Sequence, residues 1–208
     1  VQIVKDGYVS FAIVDVGGGK VALVDAGGDA KDTVLREKLT QRGLQLSDIQ
    51  GVLLTHGHPD HMDGVRGLPG VPVYAHTAEV SLIEGRVAAR GPIPRLFGPA
   101  APGVTVTYPV KDRQEVEIGI RHFIAHHVPG HTAGSVAWEV EGLLFMGDSA
   151  DGTKDGKVQA ARWIFTDDPV QNRQSLQRLA QEVDGHIQTL IFAHTGIQDG
   201  MEALKKVQ

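Results

Sequence analysis

The chain has 208 residues and a mass of 22.3 kDa, enough for one well-buried core, so a single domain over residues 1–208 is expected. Hydrophobic residues make up 41% and charged residues 22%, and every apolar run falls far short of the ~20 residues of a membrane helix, which excludes that role. Twenty Lys and Arg against 25 Asp and Glu leave a net charge of −5 with no basic cluster to follow a phosphate backbone, so nucleic acid is not an expected partner.

In chain order, Phe11 to Val16 and Val21 to Asp25 flank three glycines and predict a β-hairpin. Asp29 is expected to cap a helix running through Leu39, with Gly43 as its stop. Ile49 to Leu54 reads as a buried strand that runs into Thr55 and His56. Val71 to Ala75 is another strand, followed by a short helix from Thr77 to about Glu84. Gly85 to Gly103 is rich in glycine and proline and reads as a long loop or lid carrying Arg86, Arg90 and Arg95. Strands resume over Val104 to Tyr108, Gln114 to Ile118, Ile120 to His126, Ser135 to Val140 and Leu143 to Met146. A helix starts at Asp168 or Pro169, Thr189 to Ala193 is a last buried strand, and Met201 to Val207 is expected to be a short helix. Two similar halves of this kind predict an α/β sandwich with helices on both outer faces.

The chemistry is concentrated in Thr55-His56-Gly57-His58-Pro59-Asp60-His61, which crowds three imidazoles and a carboxylate onto one tight turn. Imidazoles packed so closely favour losing protons or binding a cation. There are no cysteines, so disulfides, thiolate catalysis and sulfur-ligated metals are excluded, and nitrogen and oxygen donors suit zinc, iron or manganese. The turn offers too many donors for one metal and too few for two. Three glycine-flanked strand ends supply more: His131 in Pro-Gly-His-Thr, Asp148 in Met-Gly-Asp-Ser and His194 in Ala-His-Thr-Gly.

This H-x-H-x-D-H run, followed by a lone His, a lone Asp and a final His, resembles the metallo-β-lactamase superfamily over nearly the whole chain. Leu23-Val24-Asp25-Ala26-Gly27 looks like that family's second-strand signature. The resemblance implies a four-layer αββα sandwich. It also implies a first metal on His56, His58 and His131, a second on Asp60, His61 and His194, and Asp148 bridging both. Two divalent ions, zinc first and iron or manganese as alternatives, would lower the pKa of a shared water and polarise a carbonyl or phosphoryl oxygen. Asp60 would then be the catalytic group that orients the nucleophile and protonates the leaving group. Asp25, Asp63 and Ser135 are candidates to orient the ligating histidines. His76, His122, His126, His127 and His186 read as surface or packed neutral imidazoles, and Trp138 and Trp163 as core or pocket wall.

The expected activity is hydrolysis of an ester, thioester, lactone or amide-type bond in a small-molecule substrate, anionic ones included, with Arg86, Arg90, Arg95, Lys154, Lys157 and Arg162 as candidate anion contacts. Family members that cleave β-lactams typically carry Cys or Ser where Asp148 stands, so that activity is an alternative. Glyoxalase II-like thioesterases share all seven ligands but bind glutathione largely through a helical region after the last His, where fourteen residues follow here. Lactonases often use a tyrosine downstream of the bridging Asp, whereas Tyr8, Tyr74 and Tyr108 all precede it. Persulfide dioxygenases, with one iron, are the redox alternative. A sequence beginning at Val1 leaves cytoplasmic and exported locations both open.

Overall fold

In the computed structural model, which describes residues 1–207, the early hairpin grows into a six-stranded sheet. Strands β1 (Gln2–Asp6), β2 (Val9–Gly17), β3 (Lys20–Val24), β4 (Ile49–Leu53), β5 (Val73–His76) and β6 (Tyr108–Val110) lie side by side in chain order. Pairing is antiparallel through β3 and parallel from β3 to β6. The turn between β2 and β3 runs through Gly17, Gly18 and Gly19, all at positive φ, where a side chain would be strained. Parallel neighbours need crossovers. Helix α1 (Thr33–Gln41) lies between β3 and β4, α2 (Pro59–Met62) between β4 and β5, and α3 (Val80–Ile83) between β5 and β6.

The second sheet begins with β7 (Glu115–Ile118), β8 (Arg121–His127), β9 (Val136–Val140) and β10 (Leu143–Phe145). A separate hairpin of β11 (Ala150–Gly152) and β12 (Val158–Ala160) follows, then helix α4 (Pro169–Glu182), β13 (Thr189–Phe192) and β14 (Gly196–Asp199). The order is β14-β13-β10-β9-β8-β7, with β13 parallel to β10 across the α4 crossover.

Side-chain alternation sets the layers. Phe11, Ile13, Val21 and Leu23 point outward and pack with Leu35 and Leu39 of α1. Their neighbours Ala12, Val14, Ala22 and Val24 point inward and meet Val136, Trp138, Phe145 and Ile191 of the second sheet. Ala137, Leu144, Leu190 and Phe192 face the other way, onto Leu176, Leu179, Ala180 and Val183 at α4. Helix, sheet, sheet and helix are therefore stacked over three apolar layers, the αββα sandwich expected from the sequence.

Several boundaries differ from expectation. Asp29 does not cap α1 directly; its carboxylate accepts from the Lys31 and Thr33 amides and closes the turn before a helix that starts at Thr33. The short helix expected from Thr77 opens as a 3-10 turn capped by His76, whose Nδ1 accepts the Ala78 amide. The strand expected over Val104 to Tyr108 begins only at Tyr108, because the Val106 amide donates to the Glu84 side chain instead of a neighbouring strand. The last helix is a 3-10 turn over Leu204–Lys206. β1, β14 and the β11–β12 hairpin go beyond the elements expected from the residues.

Asp32 is an unusual buried carboxylate: its residue is 2% exposed, sits at φ 55° and leaves both side-chain oxygens without a hydrogen-bond partner. Burial pushes its pKa up to about 6, against a smaller opposing pull from Arg36. Below the unfolded pKa of about 3.9 both states hold the proton; as pH rises towards 6 the unfolded chain releases it first, so stability falls and the cost is complete above 6. Asp32→Asn removes the charge and tolerates the left-handed backbone. It is expected to stabilise the fold by about 1–2 kcal/mol near pH 7.5 and by far less near pH 4, read by urea denaturation at both. An equal effect at the two pH values would refute this account.

Candidate metal centre

All four segments that carry the predicted ligands leave the C-terminal ends of strands. β4 runs into the His56 turn, β8 into the loop with His131, β10 into Asp148 and β13 into His194. Pro59 opens α2 at a position where a missing amide hydrogen costs nothing, so Asp60 and His61 fall in its single first turn. Gly147 is required by packing as well as by its φ of 51°, since a Cβ there would sit 2.5 Å from Thr55 Oγ1.

The seven side chains converge in three overlapping groups. His56, His58 and His131 form one: His131 Nε2 lies 3.3 Å from His56 Nε2 and 3.1 Å from His58 Nδ1. His56, His61 and Asp148 form the second, with His61 Nε2 3.1 Å from Asp148 Oδ1. Asp60, His61 and His194 form the third; Asp60 Oδ2 is 3.9 Å from His61 Nε2 and 3.7 Å from His194 Nε2. Asp148 reaches across, 3.1 Å from His194 Nε2 through Oδ1 and 3.8 Å from His131 Nε2 through Oδ2.

Electrostatics divide the cluster. Burial, followed by the neighbouring imidazoles, holds His56 well below its usual pKa and brings His131 down to about 3; burial also lowers His58. These three are neutral donors at neutral pH, the form that ligates a metal. Burial also opposes charge on His61 and Asp148, but their mutual attraction outweighs it, raising His61 and lowering Asp148, with Asp25 adding to the first and His194 to the second. His61 Nε2 and Asp148 Oδ1 are nevertheless buried without a hydrogen bond, as is the ring nitrogen His58 Nε2. Donor atoms that face one another within 3.1 Å and are not satisfied by hydrogen bonds fit cations placed between them.

A surrounding set of contacts fixes the rings. The His61 Nδ1 bonds Asp25 Oδ2 at 2.8 Å, and Asp25 also accepts from the Thr55 amide at 2.7 Å and from its hydroxyl. Of the three orienting residues expected from the sequence only Asp25 does this. Asp63 pairs with Arg66, and Ser135 bonds Thr132. Contacts that sequence reasoning missed are Thr55 Oγ1 with His56 Nδ1 at 3.1 Å, Thr166 Oγ1 with His131 Nδ1 at 3.4 Å and the Tyr8 carbonyl with His194 Nδ1 at 3.0 Å. Glu79, fully inside, accepts from the amides of Gly57 and Gly134 and so ties the first ligand turn to the loop that carries His131.

The remaining histidines lie outside these groups. His126 is buried on Glu139, His186 approaches the same carboxylate, His122 pairs with Glu115, and His76 stacks on His127. Trp138 is core, its indole donating to the Leu54 carbonyl, whereas Trp163 is 66% exposed.

The Metallo-beta-lactamase superfamily profile matches residues 4–194. The chain belongs to this superfamily. It is 34% identical over 195 residues to a hydroxyacylglutathione hydrolase of Pseudomonas savastanoi pv. phaseolicola, covering 90% of this chain and 61% of that one. It is 30% identical over 182 residues to the enzyme of that name from Fuscovulum blasticum, covering 86% and 60%. The chain thus spans between half and two thirds of the length of these curated relatives. Among solved structures, a metallo-beta-lactamase family protein of Thermus thermophilus superposes with a TM-score of 0.71 at 25% identity, covering 98% of this chain and 74% of the other. A B3 metallo-beta-lactamase with an active-site glutamic acid superposes at 0.75 with 22% identity, covering 98% and 81%, a likeness of fold.

In this member of the superfamily the donor groups open into a cavity of about 530 Å³. It is lined by His58, Asp60, His131, Asp148 and His194, by Tyr8 beside His194, and by the two loops that follow α3 and β12. Tyr8 stacks on His194 with ring centroids 5.8 Å apart, and burial, helped by Asp60 and Asp148, raises its phenol above the usual range, so it stays protonated at neutral pH. No sequence signal marked Tyr8 as a site residue.

Proposed function

We propose that this chain is a dinuclear metal-dependent hydrolase of small acyl substrates, cleaving a thioester or a related ester, lactone or amide-type bond. The observation that carries the proposal is the approach of Asp148 to His61, His194 and His131 in a cluster where His61 Nε2 and Asp148 Oδ1 are buried 3.1 Å apart without hydrogen bonds. His56, His58 and His131 would hold one cation and Asp60, His61 and His194 the other, with Asp148 common to both. Divalent ions there, zinc by preference, would supply a hydroxide at neutral pH and polarise the scissile carbonyl.

The chain's own groups do the rest. Asp25 and the Tyr8 carbonyl hold His61 and His194 by their Nδ1 atoms, so both Nε2 atoms face Asp148 Oδ1 at 3.1 Å. Asp60 stands at its wall, where its carboxylate can orient the attacking oxygen and then pass a proton to the leaving sulfur or oxygen. The relatives named hydroxyacylglutathione hydrolase support a thioester as the first substrate to try. The test is to assay metal-loaded protein on S-lactoylglutathione, simple thioesters, lactones and a β-lactam, with and without chelator. Chelator-sensitive thioester or ester turnover is expected. Turnover of the β-lactam alone, or dioxygen consumption on a persulfide with one iron bound, would replace this reading.

A further inference from the structure

We propose that the cavity selects substrates by an apolar acyl group, seated on Ile93, Phe97 and Phe165 beside the donor cluster. The inference rests on the hydrolase reading for its reaction and on separate residues for its specificity.

The apolar part of the cavity lining is built from two loops. Ile93, Pro94 and Phe97 come from the segment after α3, and Phe165 from the segment after β12. The two are fastened together: the Ile93 amide donates to the Ile164 carbonyl at 2.9 Å, and the Arg90 and Gly91 amides both donate to Asp167 Oδ1 at 2.7 Å. Gly91 lies so close to Phe165 that a Cβ would come within 2.8 Å of its carbonyl carbon. This is a built wall rather than a loose strap, and it leaves Phe97 80% exposed to solvent. Leu96 and Trp163, on the same two loops, are 72% and 66% exposed. Apolar side chains held out to water at the mouth of a cavity mark a surface that gains by being covered.

Of the six cations on these loops, Arg95 and Lys154 have no acidic partner among the described residues but do not line the cavity, and the other four are paired. Arg86 pairs with Glu84, Arg90 with Asp167, Lys157 with Asp155 and Arg162 with Asp151. Arg162 does line the cavity, but its partner Asp151 lines it too, so the pair presents little net charge. A substrate with a long apolar acyl arm and a neutral thiol matches this wall better than one recognised by carboxylates. In the reaction, water oxygen bonds the acyl carbon, the carbon–sulfur bond breaks, and one carboxylic acid and one thiol result.

The experiment measures kcat/KM on acetyl, butyryl, hexanoyl and octanoyl thioesters of N-acetylcysteamine, with S-lactoylglutathione as the charged comparison. It also measures binding of the uncleavable S-hexyl thioether of the same thiol by calorimetry, to protein with and without metal. The expected result is a rise of about two- to fourfold per methylene. Phe97→Ala and Phe165→Ala should each flatten that rise and weaken thioether binding, while Phe97→Leu should keep both. A rate independent of chain length, with S-lactoylglutathione preferred, would overturn the proposal and leave the hydrolase reading intact. Phenylalanine-dependent thioether binding without any hydrolysis would do the reverse. Neither binding nor hydrolysis would overturn both.

Discussion

Asp148→Asn is expected to lower kcat/KM for a thioester by about 10³-fold or more, because its carboxylate approaches one imidazole of each proposed donor group. Its oxygens lie 3.1 Å from His61 Nε2, 3.1 Å from His194 Nε2 and 3.8 Å from His131 Nε2. Burial alone would favour the protonated acid; His61, His194 and His56 outweigh it and keep Asp148 ionised. Asparagine has nearly the same shape but no charge, so two cations would share only Asp60 as a counter-charge among these seven residues. Bound metal should fall to one ion per chain or less. Removing the carboxylate also removes the main attraction that raises His61 and His194, so both imidazoles should lose protons more readily in the metal-free variant. Elemental analysis and steady-state kinetics on the folded variant check this, and full metal content with parental activity would show that Asp148 is not shared.

Asp25 should give the second large effect, and by a different route. It touches no substrate; it accepts from the Thr55 amide, the Thr55 hydroxyl and the His61 ring, and is itself buried at φ 58°. Asp25→Ala leaves those donors unpaired in the interior and puts a Cβ-only side chain on a backbone it disfavours, which is expected to cost about 3–5 kcal/mol of stability. Asp25→Asn is the informative variant, because asparagine tolerates the left-handed region and keeps the shape. It should remain folded yet bind metal about 10–100-fold more weakly, since the His61 ring loses its anionic partner. Chelator competition with the purified variant measures this directly. Unchanged metal affinity alongside reduced stability would make Asp25 a purely structural residue.

The seven candidate ligands were legible in the sequence because four of them crowd into six positions and the other three sit at strand ends beside glycines. Asp25 was half legible, since its carboxylate follows a strand. Tyr8 was not: its carbonyl reaches His194 from 186 positions away, and a backbone oxygen carries no residue-type signal. Thr166 and Glu79 act through side chains but are hidden as well, because their partners are set by how the loops fold back. The core strands announced themselves through β-branched runs buried on both faces, as in Phe11 to Val16 and Val21 to Val24. Edge strands such as β14, Gly-Ile-Gln-Asp, bury too little to show a period, and their pairing is decided by the neighbour rather than by their own residues. The positive loops read as anion contacts from composition alone, and only the structure shows that Arg86, Arg90, Lys157 and Arg162 have acidic partners.

Whether two cations share Asp148 is decided by metal content per chain, measured by elemental mass spectrometry on protein purified without added metal and again after reconstitution. About two divalent ions per chain, falling to one or fewer in Asp148→Asn with chelator-sensitive hydrolysis lost in step, is the expected result. A single ion per chain that persists in Asp148→Asn after saturating reconstitution would contradict it.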